Sequence, residues 1–290
     1  MVSSVIDRLC SGDSGPDLSS DSYRFRMVKS VRLNNVAGWL IPIDESLFSA
    51  IDQVQSDLGT TGNLLEIGTY FGKSAIVLGA FLHTGESLTV VDPFGKESPR
   101  SPFSGERYQW VPTFNRQRFE ENYLEFHDSL PVIVEDFSTN LAPSELGTGF
   151  RLVHVDGAHD FTTVSHDCDL AVAVLGAGGV IAFDDIHNAK CPGVAAAVWP
   201  SLGKHGLAVL AVSPKLWVCR QEDHGRMSEQ LRNVLDVADD LEYLDHSIMG
   251  RTALAVKRVS QPTSVTRRVI HLLTPPIFSR VFRGFVAHKR

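Results

Sequence analysis

Leu64-Leu-Glu-Ile-Gly-Thr-Tyr-Phe-Gly-Lys-Ser74 is the stretch of this sequence that decides the fold. A largely apolar run ends at Gly68, and Gly72 precedes a helix-forming stretch over residues 73–82. The pattern predicts a buried strand, a tight turn and the start of a helix. Glycines allow such a turn to take positive φ angles and allow a ligand to approach its backbone closely. The helix start offers N–H groups that have no partner within the helix.

A second strand is predicted over residues 87–91, and it ends in Asp92, twenty residues beyond Gly72. An acid at this distance can accept hydrogen bonds from the hydroxyl groups of a bound ribose. Strand, helix and second strand together therefore indicate half of a nucleoside-binding βαβ unit.

The turn between Gly68 and Gly72 fits some ligands better than others. A phosphate-binding loop has four residues between its first glycine and the Gly-Lys-Ser sequence, whereas this turn has three. A dinucleotide-binding turn has three glycines, whereas here there are two, and Tyr70 and Phe71 crowd the position of the pyrophosphate. A strand-to-helix turn that binds no ligand is a further alternative.

The composition is typical of a globular α/β protein. With 290 residues, of which 43% are hydrophobic, the sequence can form one large domain with terminal extensions. The net charge of −7 argues against nucleic acid as a partner. The four cysteines show no Cys-x-x-Cys spacing, which argues against a zinc site or a disulfide framework. No apolar run has the length of a membrane span or a signal peptide, so we expect a cytoplasmic protein.

The stretch from Thr263 to the last residue is basic and amphipathic. It holds six cations and no acid, which leaves a charge of −13 on the remaining 262 residues. Such a stretch predicts either a helix docked on the acidic surface of the domain or weak contact with the inner face of an anionic membrane. The six cations are Arg267, Arg268, Arg280, Arg283, Lys289 and Arg290.

Predicted strands and helices alternate along most of the chain. This alternation predicts a doubly wound, mostly parallel α/β sheet that an antiparallel pair closes. We expect an N-terminal extension (residues 1–45, partly mobile), a main domain (46–260) and the basic tail (261–290). The long segment 93–112 between two strands predicts a lid or a substrate wall. Residues 228–244 predict a helix.

Three acids follow two consecutive predicted strands. Asp156 ends one strand, and Asp184 and Asp185 end the next one along the chain. Because ligands of such sheets bind at the carboxyl ends of the strands, we expect the three carboxylates to converge beside the nucleoside pocket. Three close carboxylates repel one another unless a cation neutralises them, and oxygen ligands favour Mg²⁺. The alternative is that Asp184 caps a helix and Asp185 is solvated.

Three motifs of this sequence resemble those of a known family. They are Glu66-x-Gly68-x-x-x-Gly72, Val-Asp156-Gly-Ala-His159 and Gly178-Gly-Val-Ile-Ala-Phe-Asp184-Asp185-Ile-His187. They resemble the class I, metal-dependent O-methyltransferases that use S-adenosylmethionine (SAM). The macrocin and mycinamicin type, which methylates sugars, is the most similar branch, and the catechol type is more distant. The resemblance covers roughly residues 60–200 and implies a seven-stranded sheet with an N-terminal helical extension.

The resemblance implies a role for each candidate site residue. The paired acids match the magnesium ligands of the sugar branch, and His187 matches its proposed base. His159 stands where the catechol type has a catalytic lysine, and we expect it to orient the acceptor or the metal. The residues that the resemblance assigns to SAM are Glu66, Gly68, Thr69, Tyr70, Gly72, Ser74, Asp92, Asp136 and Asp156. The residues that it assigns to Mg²⁺ are Asp156, Asp184 and Asp185.

The sequence therefore predicts a SAM- and Mg²⁺-dependent transfer of a methyl group to a hydroxyl of a sugar, a glycosylated natural product or a glycolipid. A catechol or polyketide hydroxyl is the alternative acceptor. A nicotinamide-dependent oxidoreductase is disfavoured because the chain has no Tyr-x-x-x-Lys pair, and a binding module without catalysis is a further alternative. We also expect a homo-oligomer, although no motif carries that expectation. The remaining histidines near these motifs are interpreted as ordinary surface or core residues: His83, His127, His154 and His166.

Overall fold

A computed structural model describes residues 33–96 and 115–259, and the structural statements below concern these residues. The chain divides into two compact units, Met1–Ala37 and Gly38–Arg290. In the first unit, the Val36 N–H donates to the Leu33 carbonyl at 3.1 Å. Three predicted features lie outside the described residues: most of the N-terminal extension, most of the lid segment 93–112 and the basic tail.

All strands of the second unit described below belong to one sheet. In chain order, they are β1 (Leu64–Ile67), β2 (Leu88–Val91), β3 (Val132–Val134), β4 (Phe150–Val155), β5 (Leu175–Phe183), β6 (Leu207–Val212), β7 (Leu216–Arg220), β8 (Leu241–Ile248) and β9 (Arg251–Arg258). The strand order across the sheet is β3-β2-β1-β4-β5-β7-β6-β9-β8. Five pairs of neighbours are parallel, and the pairs β5/β7, β6/β7 and β8/β9 are antiparallel. The doubly wound, mostly parallel fold is thus confirmed.

Helices connect the strands. They are α1 (Pro42–Asp57), α2 (Lys73–Gly79), α3 (Arg116–Leu124), α4 (Pro143–Leu146), α5 (Phe161–Val174), α6 (Pro192–His205) and α7 (His224–Val237). Helix α1 crosses the predicted boundary between residues 45 and 46. No helix among these has the length and apolar character of a membrane span.

The sheet differs from the predicted seven strands in its last part. The described residues form nine strands, because the hairpin of β8 and β9 extends the sheet beyond β6. The predicted helix over residues 228–244 is also wrong at its end. Helix α7 stops at Val237, and residues 241–248 form β8. The interstrand hydrogen bonds from β8 to β9 outweigh a helical pattern that is visible only locally.

The strand order reverses at the neighbouring strands β1 and β4. This is the switch point where open α/β sheets bind their ligands. Register brings Glu66 opposite His154 and Ile67 opposite Val155. Beyond β1, the Asp156 N–H donates to the Ile67 carbonyl at 2.8 Å, and the Asp184 N–H donates to the Val155 carbonyl at 3.0 Å. The carboxyl ends of β1, β4 and β5 therefore present the predicted acids side by side.

A buried arginine secures the opposite, amino end of the sheet. The Arg151 side chain is fully buried and forms two-pronged hydrogen bonds with the Glu86 carboxylate at 2.9–3.0 Å. It also donates to the Gln55 side chain at 2.9 Å and to the Phe81 carbonyl at 2.6 Å. These contacts connect α1, β4 and the segment before β2, far from the acids at the carboxyl ends.

Candidate active site

Asp92 organises the glycine turn that follows β1. Its carboxylate accepts hydrogen bonds from the N–H groups of Thr69 at 2.8 Å, Tyr70 at 3.0 Å and Phe94 at 2.7 Å. Burial raises the pKa of Asp92, and the three N–H donors oppose this effect. Because a carboxylate has about four acceptor positions, the three backbone contacts leave room for one more donor. The predicted contact with a ribose stays a prediction.

Two positions in this turn require glycine. Gly68 has a φ of +84°, and a Cβ there would overlap the Asp156 carbonyl oxygen. Gly72 has a φ of +91°, and a Cβ there would lie 2.8 Å from the Phe119 ring. The turn is therefore pressed against the end of β4 on one side and against α3 on the other.

The other predicted turn residues differ in exposure. Tyr70 adopts a φ of +49°, and its ring stacks on that of Trp39, with the centroids 5.2 Å apart. Thr69 is buried, and its hydroxyl has no hydrogen-bond partner among the described residues. Ser74 is buried in the first turn of α2.

Glu66 and His154 form a fully buried pair on β1 and β4. The His154 Nδ1 lies 2.9 Å from Glu66 Oε1, and the His154 ring packs edge-on against Phe48. Glu66 Oε2 and His154 Nε2 are both buried without a hydrogen-bond partner in the described part of the chain. Buried polar atoms are normally paired, so these two mark a position where a ligand is expected. The sequence did not indicate this role for His154, because it depends on the register of β1 and β4.

Asp136 follows β3, at the side of the turn where the resemblance places adenine. Its carboxylate accepts hydrogen bonds from the Asn140 amide and the Phe137 N–H, both at 2.7 Å. The Asn140 hydrogen bond lowers the pKa of Asp136. Both contacts are local, and the contact with adenine stays a prediction.

The predicted metal-binding acids are distributed over two groups. In the first group, ligand atoms of His154, Asp156 and Asp184 lie within 4.8 Å of one another. Burial, followed by the charge of Asp184, raises the pKa of Asp156 well above its usual range. The Lys215 ammonium contacts Asp184 and is itself buried.

The second group consists of His159, Asp185 and Cys191, again with ligand atoms within 4.8 Å of one another. His159 Nε2 lies 2.9 Å from Asp185 Oδ2, and the Asn188 amide donates to Asp185 Oδ1 at 2.9 Å. The His159 hydrogen bond lowers the pKa of Asp185. Asp185 therefore faces His159 rather than the Asp156–Asp184 pair.

The two candidate histidines differ in their surroundings. The His187 side chain is exposed on the turn after Asp185. His159 is partly buried, and its backbone lies against Gly193 of α6, where a Cβ would be 2.8 Å from the Phe161 nitrogen. Packing thus places His159 beside Asp185, whereas solvent surrounds His187.

The part of the chain that forms the candidate site matches a known domain family. Residues 65–186, from β1 to the turn that follows Asp185, match the family profile "Methyltransferase domain" (Methyltransf_24). The chain carries a methyltransferase domain. The match includes the glycine turn, Asp92 and all three predicted metal-binding acids, so the predicted enzyme class is confirmed. The methyltransferase matches no curated protein sequence.

Several solved structures of low sequence identity are similar to this methyltransferase. The O-methyltransferase NovP is 15% identical with a TM-score of 0.51, covering 61% of this chain and 80% of NovP. The calicheamicin methyltransferase CalS11 is 17% identical with a TM-score of 0.46, covering 72% and 98% of the two chains. A putative caffeoyl-CoA O-methyltransferase from Staphylococcus aureus is 14% identical with a TM-score of 0.47, covering 69% and 91%. At this identity, the similarity to NovP concerns the fold.

Proposed function

We propose that this methyltransferase transfers a methyl group from SAM to a hydroxyl of a sugar, a glycosylated natural product or a glycolipid. The observation that carries the proposal is that the matched domain contains both the glycine turn after β1 and the acid groups on the neighbouring strand ends. One feature suits a nucleoside, and the other suits the activation of a hydroxyl.

In this proposal, the SAM amino acid end lies near Glu66, where the unpaired Oε2 offers a buried acceptor for an ammonium group. The Gly68–Gly72 turn, which has no side chain at its first and last residues, borders the same end. Asp92 accepts one ribose hydroxyl in addition to its three backbone donors, and Asp136 lies near the adenine. Since SAM is already an activated donor, the protein contributes mainly the alignment of methyl group and acceptor.

The first acid group fits a divalent cation. Asp156 and Asp184 supply oxygen ligands, and a ring nitrogen of His154 is a further ligand atom within reach. An imidazole beside two carboxylates also accommodates Mn²⁺ or Fe²⁺, so the donor set is less selective for Mg²⁺ than three acids would be. Such an ion would lower the pKa of an acceptor hydroxyl. We keep Mg²⁺ as the proposed ion, and Asp185 becomes an additional ligand if its carboxylate turns from His159 towards Asp184.

Two histidines are candidates for the base that takes the acceptor proton. His187 follows from the resemblance, and its side chain is exposed on the turn after Asp185. His159 is held by Asp185, and a ring that donates from Nε2 keeps a lone pair on Nδ1. We propose His187 as the base and His159 as the residue that orients the acceptor. The rate of methyl transfer against pH in His159→Ala and His187→Ala decides between them, because the variant that lacks the base loses the acidic limb.

Calorimetric titration tests the cofactor, with SAM and NAD as separate ligands. We expect binding of SAM and none of NAD, and the reverse result would contradict the proposal.

Transfer of labelled methyl to a panel of nucleotide sugars, glycosides, catechols and polyketides then identifies the acceptor. Activity that disappears with EDTA and returns with Mg²⁺ would support the cation. Labelling of catechols alone would contradict the sugar acceptor.

A further inference from the structure

Lys215 is a buried cation within the acid group. It directly precedes β7, and its side chain is 1% exposed. Its ammonium contacts Asp184 Oδ2 and lies 3.7 Å from Asp44 Oδ2 in the first turn of α1. Burial lowers the pKa of Lys215, but the charges of Asp184, Asp156 and Asp44 raise it above its usual value, so the ammonium stays charged. Nothing in the sequence predicts this, because a lysine in a Ser-Pro-Lys turn is typical of a surface.

Asp44 offers a second position for the same ammonium. The Asp44 side chain is 2% exposed, and its Oδ1 is buried without a hydrogen-bond partner in the described part of the chain. Its Oδ2 accepts the Ile41 N–H at 3.2 Å. An unpaired buried carboxylate oxygen beside a buried ammonium is costly, and a small rotation of the lysine side chain would pair them.

The Lys215 ammonium balances only part of the negative charge around it. Asp44, Asp156 and Asp184 carry three negative charges when ionised, and the ammonium offsets one of them. A divalent ion at Asp156 and Asp184 would balance the remainder, yet it would repel an ammonium that still contacts Asp184.

We propose that Lys215 is an internal counter-ion that pairs with Asp184 in the metal-free protein and moves to Asp44 when a divalent cation binds. This inference rests on the cation of the proposed function. It makes Lys215 and Asp44 positioning residues that set the metal affinity, and it couples metal binding to the first turn of α1. The movement breaks no covalent bond and transfers no proton.

The test is the affinity for Mn²⁺, measured from the spin-resonance signal of the free ion with the full chain. We expect Lys215→Met to bind Mn²⁺ about tenfold or more tighter, because the competing ammonium is gone. We expect Asp44→Asn to bind Mn²⁺ about tenfold or more weaker, because the displaced ammonium loses its second charged acceptor. Lys204→Met is the control, since Lys204 forms an exposed pair with Asp169, and its affinity should equal that of the wild type.

Opposite changes in the two variants distinguish this role from a structural one, which would weaken binding in both. Unchanged affinity in Lys215→Met, with normal binding in the wild type, would overturn the inference and leave the proposed function intact. Wild-type protein that binds no Mn²⁺ would overturn the inference together with the proposed cation, while the SAM titration still tests the methyltransferase. If Lys215→Met does not fold, ¹⁵N NMR of the wild-type lysine ammonium groups replaces it. We expect the buried signal to shift on addition of Mg²⁺, and an unshifted signal overturns the proposal.

Discussion

Asp92 has a structural role in addition to the role that was predicted for it. The resemblance assigned it to a ribose, yet the structure shows that it also holds the turn through three backbone N–H groups. Any variant at this position therefore changes the shape of the turn as well as the chemistry of its carboxylate.

We predict that Asp92→Ala loses both stability and SAM binding. The variant leaves three N–H groups without their acceptor, and hydrogen bonds to a charged group contribute about 1.5–3 kcal/mol each. Asp92→Asn keeps one acceptor oxygen and should lose less of both. Urea unfolding and SAM titration measure the two effects, with Asp239→Ala as an exposed control away from the candidate site. A stable Asp92→Ala that binds no SAM would show that the carboxylate serves the ligand alone.

Some residues of the candidate site were predicted from the sequence, and others were not. Asp156, Asp184 and Asp185 were predicted because each directly follows an apolar strand, and strand ends are visible in the sequence. Lys215 and the partnership of Glu66 with His154 were not predicted. They depend on which distant strands and helices come together, which no local pattern encodes.

At the scale of elements, the junction between α6 and the turn after β4 fixes the position of His159. Gly193, near the start of α6, lies so close to the His159 carbonyl and the Phe161 nitrogen that no side chain fits between them. The helix can approach the turn only because position 193 lacks a Cβ.

We predict that Gly193→Ala destabilises the protein and lowers the rate of methyl transfer, because α6 must move away from the His159 turn. Gly203→Ala in the same helix is the matched control. Its Cβ would meet nothing within 4 Å, and an alanine inside a helix is favoured over glycine by about 1 kcal/mol. Thermal unfolding should thus shift in opposite directions. A rise in the unfolding temperature of both variants would mean that helix propensity decides both positions.

The last strands of the sheet were predicted less accurately than the first ones. The ends of β1, β2, β4 and β5 were predicted near their observed positions because each of these strands ends in a short apolar run. Residues 241–244 of β8 were predicted as the end of the helix over residues 228–244. The break at residues 238–240 and the pairing with β9 make them a strand instead.

In the molecule as a whole, the Arg151 contacts lie at the amino end of the sheet and the candidate site lies at the carboxyl end. We predict that Arg151→Met lowers the free energy of unfolding by about 3–5 kcal/mol, because it leaves the Glu86 charge without its partner. Arg116→Met, which removes an exposed pair with Glu120, should cost less than about 1 kcal/mol. Urea unfolding compares them. Equal losses would show that the Arg151 contacts add nothing to ordinary surface pairing.

The same contacts predict a dependence on pH. Burial raises the pKa of Glu86, but hydrogen bonds from Arg151 and from the His83 and Gly62 N–H groups lower it below its usual value. Because the folded-state pKa lies below the unfolded value of about 4.3, this stabilisation is present above that pH and is lost as pH falls through the lowered pKa. We expect Glu86→Gln to be less stable than the wild type at pH 7. The difference should shrink at about pH 3, and a constant difference would exclude this cause.

The distance between the Arg151 contacts and the candidate site also affects which substitutions the protein can tolerate. Substitutions in residues 136–140 and 185–191 do not touch the Arg151 contacts, so they should change the surroundings of the candidate site with little loss of stability. A mutant library confined to residues 136–140 and 185–191 should therefore retain far more soluble members than one confined to residues 52–55 and 83–86. Different sets of residues thus determine the surroundings of the candidate site and the stability of the fold.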